Sequence, residues 1–185
     1  MLRHLIRAAV LLPALCCAAL AADAVNIWLD VPYVRQQKDG CGAASISMVM
    51  QYWQQHQDLP ANPNAAYDRI QSKLYSPRAH GIYASAMEGY FRQNGYRVFT
   101  FSGQWSDIER EIQNGRPLIA ALKPVAGSKE LHYVVVVGLD QPDGLVLVND
   151  PDQRKLLKEQ QSAFARDWKA TGNWTLLAVP EAPAK

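Results

Sequence analysis

Cys41, His132 and the pair Asn149-Asp150 are residue types that together could carry out covalent acyl transfer. Cys41 lies in QQKDGCGAASISMVM, residues 36–50, between two glycines and at the start of a run with helical spacing. A thiolate attacks carbonyl carbon readily, and the unpaired N–H groups and dipole of a helix start favour an anion. Gly40 and Gly42 leave room for a substrate backbone to approach. A cysteine that serves only as a small buried hydrophobe gains nothing from that position.

Such a nucleophile needs a base. His4 lies in the N-terminal apolar segment, and His56 in the polar stretch QQHQD reads as a solvated helix end. His80 sits in a loop before Gly81 with nothing nearby to orient it. His132 heads the run HYVVVVG, and an imidazole at the mouth of a rigid strand is placed to act on a thiol from the other half of the chain. The bland alternative is a histidine hydrogen-bonded within the core. The hairpin after His132 returns through LVLVNDP, so Asn149 or Asp150 can accept the imidazole N–H and fix its tautomer. Gln36 or Gln37 can supply a side-chain amide beside the Cys41 backbone N–H as oxyanion donors.

The elements that must position these residues follow from periodicity. Residues 25–34 (VNIWLDVPYV) alternate as a strand that Pro32 interrupts. Residues 41–53 carry a wide apolar helical face. Helices are also expected over 65–74, 84–93, 106–113 and 161–170, with loops at 59–64 and 76–81 shaping a cleft. Strands are expected over 96–101, 117–122, 131–139, 145–148 and 174–179. The central run 131–139 is rich in β-branched residues, as a buried strand is. A helix-rich half followed by a half of mainly antiparallel strands is α+β organisation, without the β-α-β alternation of a doubly wound sheet.

The chain has 185 residues, enough for one domain with a core. Arg3, Arg7, the apolar run 8–21 and the small-x-small triplets ending at Ala21 and Ala24 read as a signal peptide over 1–21, cleaved near 21–24. The domain is then 25–180, with a short tail at 181–185. The apolar run is short for a membrane span, and no later segment offers one. Export removes Cys16 and Cys17, leaving Cys41 without a disulfide partner. It also leaves 17 Lys and Arg against 17 Asp and Glu, or 16 if Asp23 goes too. A near-neutral chain lacks the basic surplus that nucleic-acid binding needs. No HExxH helix, no Cys/His cluster with metal spacing and no P-loop is present, so neither metal nor cofactor is implied.

In the order glutamine, Cys-Gly, His at a strand start, then Asn-Asp-Pro, the chain resembles the bacteriocin-processing peptidases of the papain-like clan, which cut double-glycine leader peptides. The matching pieces are VPYVRQQKDGCGAASISMVM, LHYVVVVGL and VLVNDP. The resemblance implies a papain-like fold, with a helical half carrying the cysteine packed on a sheet carrying the histidine and aspartate. It implies Cys41 as nucleophile, His132 as base, Asp150 as orienter and, because VPYVRQ aligns without a gap, Gln36 as oxyanion donor. A peptide or protein is the implied substrate, in the periplasm or outside the cell, and a secretion system is a candidate associate. Without transporter modules in this sequence, ATP-coupled leader export is not expected of this polypeptide by itself. A cell-wall endopeptidase or transpeptidase, or a silent binding module on the same fold, are the alternatives.

Overall fold

The computed structural model describes residues 26–58, 60–123 and 131–181. The signal peptide read over 1–21 and most of the tail lie outside the described residues. In chain order the elements are β1 (Asn26–Trp28), α1 (Cys41–His56), a 3-10 turn (Pro63–Ala65), α2 (Tyr67–Leu74), α3 (Ala84–Gln93), β2 (Tyr96–Ser102) and α4 (Trp105–Gln113). Then come β3 (Leu118–Leu122), β4 (His132–Asp140), β5 (Leu145–Asp150), β6 (Arg154–Gln160), α5 (Gln161–Lys169) and β7 (Trp174–Pro180).

The strands form one seven-stranded sheet in the order β2-β7-β3-β4-β5-β6, with β1 on β4 beyond the end of β3. Every pairing is antiparallel. The fold is α+β and papain-like in its division of labour: a helical layer carries Cys41, and the sheet carries His132 and Asp150.

The valine run of β4 is continuous because both faces of the sheet are covered. Tyr133, Val135 and Val137 pack with α1, α2 and α3, while Val134 and Val136 pack with α4 and α5. A strand buried on both sides needs no polar alternation. Helix α1 is buried from Gly42 to Met50, and Ala43, Ala44, Ile46, Met48 and Met50 are fully shielded. Three of its polar side chains bond across the core: Ser45 Oγ donates to Tyr133 O, Ser47 Oγ to Ala65 O, and Trp53 Nε1 to Ala178 O.

The departures from the sequence reading are local. The strand expected over 25–34 is regular only at Asn26–Trp28, after which the chain leaves the sheet ahead of Pro32. Strand β6 was not anticipated. Its sequence RKLLKEQ is charged and largely exposed, as an edge strand is, and it shows no clean period of two. The loop at 76–81 walls the cleft, closed on itself by a bridge between Ser76 and Gly81. The residues described at 60–64 do not line it; they lead into the 3-10 turn that Asn62 caps.

Candidate active site

Cys41 is the first residue of α1, and Gly40 ahead of it gives the helix no side-chain cap. The backbone N–H groups of that first turn lack intrahelical partners, and a 16-residue helix directs its positive end at the thiol. The glycines on either side have a different purpose from the one the sequence suggested. A Cβ on Gly40 would collide with the Tyr67 hydroxyl, and one on Gly42 would meet Ile82 Cβ at 3.1 Å. The room they leave is filled by the protein itself, not by a substrate backbone. The Tyr67 hydroxyl also accepts the Gln37 N–H at 2.9 Å, which fixes the turn into α1.

His132 opens β4 and Asp150 ends β5, on neighbouring antiparallel strands. Strand alternation puts Asp150 on the side of Val148 and Val146, and His132 on the side of Val134 and Val136, so both project to one face. There His132 Nε2 and Asp150 Oδ1 are 2.8 Å apart. Asn149 has the opposite parity. It is fully buried, with its amide donating to Val31 O at 3.1 Å and accepting the Leu156 N–H at 3.0 Å. The structure therefore brings Asp150, and not Asn149, to the imidazole.

With Nε2 facing the carboxylate, Nδ1 is the ring nitrogen left to serve the Cys41 thiol, which lines the same cleft. Cys41 Sγ lies 4.0 Å from Leu131 O. Burial alone would lower the His132 pKa, but hydrogen bonds to Asp150 and Cys41, with their charges, outweigh it and push the value up to about 10. Burial likewise opposes ionisation of Asp150. Its hydrogen bonds with His132, the Asp152 N–H and the Gln153 amide nonetheless hold its pKa below the usual carboxylate value. Burial, and then charge at Cys41, raise the Tyr133 hydroxyl to about 12.

Gln36 borders the same cleft. Its backbone N–H donates to Pro151 O at 2.9 Å, and its side-chain Nε2 donates to Asp152 Oδ1 at 3.2 Å. The Tyr33 hydroxyl donates to the carbonyls of Asp150 and Pro151, strapping the same segment down. Gln37 is exposed and is not among the cleft-lining residues. The cleft measures about 930 Å³ and also takes in Arg78, His80 and Tyr83 from the helical side, with Glu159 and Asp167 opposite. His56 lies outside it, exposed and stacked on Tyr52 in the last turn of α1. Sequence reasoning missed Tyr33, Asp152 and Gln153, whose contacts are all made across turns that no periodicity announces. Among the described residues no helix is long and apolar enough to cross a membrane, and no cluster of His, Cys, Asp and Glu could hold a metal ion.

Solved structures share this arrangement of elements. A protein assigned as a C39-like peptidase from Bacillus anthracis superposes with a TM-score of 0.67 at 15% identity, covering 85% of this chain and 99% of that one. The peptidase domain of Streptococcus ComA, a bi-functional ABC transporter of a quorum-sensing pathway, gives 0.60 at 22% identity over 80% and 98%. A double glycine motif protease from an AMS/PCAT transporter, in complex with the leader peptide, gives 0.61 at 21% over 84% and 97%. At these identities the likeness speaks for the fold. No curated protein matches the chain. The model of the Peptidase_C39 like family matches residues 28–176, a span that includes Gln36, Cys41, His132 and Asp150, and this chain belongs to that family of cysteine-type peptidases.

Proposed function

We propose that this chain is an exported cysteine peptidase that works through Cys41, His132, Asp150 and Gln36. The Cys41 thiolate adds to the carbonyl carbon of a peptide bond, and the oxyanion accepts hydrogen bonds from the Cys41 backbone N–H and the Gln36 amide. The amide carries two N–H groups, so one can stay on Asp152 while the other serves the oxyanion. His132 gives its proton to the leaving nitrogen as the C–N bond breaks, leaving a thioester on Cys41. Water then adds to the thioester as His132 takes its proton, and the C–S bond breaks to return the thiolate. Asp150 holds the imidazole with Nε2 turned away from the thiol.

The observation that carries this reading is the 2.8 Å His132–Asp150 pair in one cleft with a cysteine at a helix start. The substrate is a peptide or an unfolded protein segment, a class supported by the leader peptide bound to one of the similar structures. Export rests on Arg3, Arg7 and the apolar run 8–21, and it would bring the enzyme within reach of peptides released by a secretion system.

The test is digestion of an unstructured peptide mixture by the wild type and by Cys41→Ala, read by mass spectrometry. Cleavage by the wild type alone is expected, and equal cleavage by both would sink the assignment. Export is checked separately by fractionating cells and reading the mature N-terminus, expected near residues 21–24.

A further inference from the structure

Beside the cleft lies a second cavity of about 300 Å³, lined by Ala84, Ala121, Lys123, Leu131, Tyr133 and Trp174 among others. Ala84, Leu131 and Tyr133 border both spaces, so the two are immediate neighbours. The join is at the chemistry: Leu131 and Tyr133 flank His132, and the Leu131 carbonyl is the group 4.0 Å from the Cys41 sulfur. We propose that this cavity is the substrate side-chain subsite and that it takes a large apolar residue at or next to the scissile bond. The proposal rests on the reading of Cys41 as the nucleophile.

The wall of the cavity is mainly alkyl and ring carbon. Tyr133 and Trp174 meet edge to face at 5.5 Å and make a fixed aromatic floor, while alanines at 84 and 121 leave the space open. Among the polar side chains of the wall the Thr171 hydroxyl already bonds to the carbonyls of Ala121 and Trp168 at 2.7 Å, which leaves the Tyr133 hydroxyl and Lys123. Leu131 is 44% exposed, and Tyr83, which precedes Ala84 and lines the cleft, is 47% exposed. Large apolar side chains left in water at the mouth of a partly apolar cavity gain by being covered. A substrate residue that enters between them buries its own apolar surface and theirs. A pair of glycines would leave the cavity empty and these side chains wet. The preference inferred here is therefore for leucine or phenylalanine over glycine at one position of the substrate.

The experiment uses N-acetyl-dipeptidyl chloromethyl ketones carrying Gly, Leu or Phe at either position. Their reaction with Cys41 is timed by mass spectrometry of the intact protein. At one of the two positions the Leu and Phe probes are expected to react roughly tenfold or more faster than the Gly probe, the discrimination an apolar pocket provides. Ala84→Leu, which fills the cavity, should reduce the ratio to about threefold or less. Leu131→Ala, at a side chain already 44% exposed, should lower it in the same direction. Each probe rate is divided by the same protein's rate with iodoacetamide, a reagent too small to use the cavity, so that any change in the thiol itself cancels. A flat probe series in the wild type, or a preference that survives both variants, overturns the subsite while leaving the nucleophile standing. A thiol inert to both the probes and iodoacetamide would overturn the nucleophile reading, and the subsite with it.

Discussion

Cys41 and Gln36 border one cleft and are close neighbours in the chain, yet the molecule holds them by different means. Cys41 is the first residue of a helix whose next residues are buried without a gap, tied by Ser45 to β4 one residue past His132. Many small contacts fix it, and no single one decides its place. Gln36 belongs to no regular element. It stays in place through its N–H to Pro151 O, its amide to Asp152 and the Tyr33 hydroxyl over the same turn. One functional group is positioned by the core collectively and the other by a few named hydrogen bonds. The first kind of positioning resists single substitutions elsewhere; the second does not.

The largest effect is expected where the comparison is sharpest, within the set carried by regular elements. Cys41→Ala and His132→Ala should each lower kcat/KM by on the order of 10⁴ or more, and the double variant should be no worse than either alone. Residues that act as one unit lose that unit's whole contribution at the first substitution. Kinetics of the two single variants and the double variant on one peptide decide this. Losses that multiply in the double variant would show that the thiol and the imidazole contribute independently, contrary to the geometry that pairs them.

A smaller loss is expected on the irregular side. Gln36→Ala should lower kcat/KM by roughly 10²–10³, about 3 kcal/mol, if its amide is an oxyanion donor. Unfolding midpoints should move little, because the side chain is only partly buried. Gln37→Ala, next door and exposed, should leave the rate unchanged. An equal loss in the two variants would mean that the segment as a whole, and not the Gln36 amide, matters.

The same contrast explains what the sequence made legible. Elements with a period could be read: α3 was expected at 84–93 and is Ala84–Gln93, and α1, β3 and β4 fall within a few residues of expectation. Cys41 and His132 stood out as candidates because each heads such an element. The choice between Asp150 and Asn149 was open because β5 is buried on both faces, so its residues gave no sign of which way each points. Parity decides it only once the helices are known to cover both sides. The glycines around Cys41 were misread for a related reason. Tyr67 and Ile82 lie well along the chain, and nothing near Gly40 or Gly42 tells of their approach. The partners of Gln36 were invisible because they come from a turn more than a hundred residues away.

The least effect expected is one of stability rather than rate, and it concerns the coupling between β4 and β5. His132 has an ordinary pKa of 6.5 and is raised to about 10 in the fold. A group that binds its proton more tightly when folded adds stability while it stays protonated in both states. That contribution is full below about pH 6.5 and declines as pH rises from 6.5 towards 10. Asp150 has the opposite sign: its pKa is lowered by folding, so its contribution holds above the ordinary carboxylate value and is lost on acidification. The wild type should therefore lose stability to urea between pH 6.5 and 10 more steeply than Asp150→Asn. In that variant the neutral amide no longer favours a protonated imidazole, so less of the alkaline decline remains. Urea midpoints across that range would be compared for the two proteins. Parallel curves would mean that Asp150 does not hold the His132 proton, and the hydrogen bond between them would then be a matter of orientation alone.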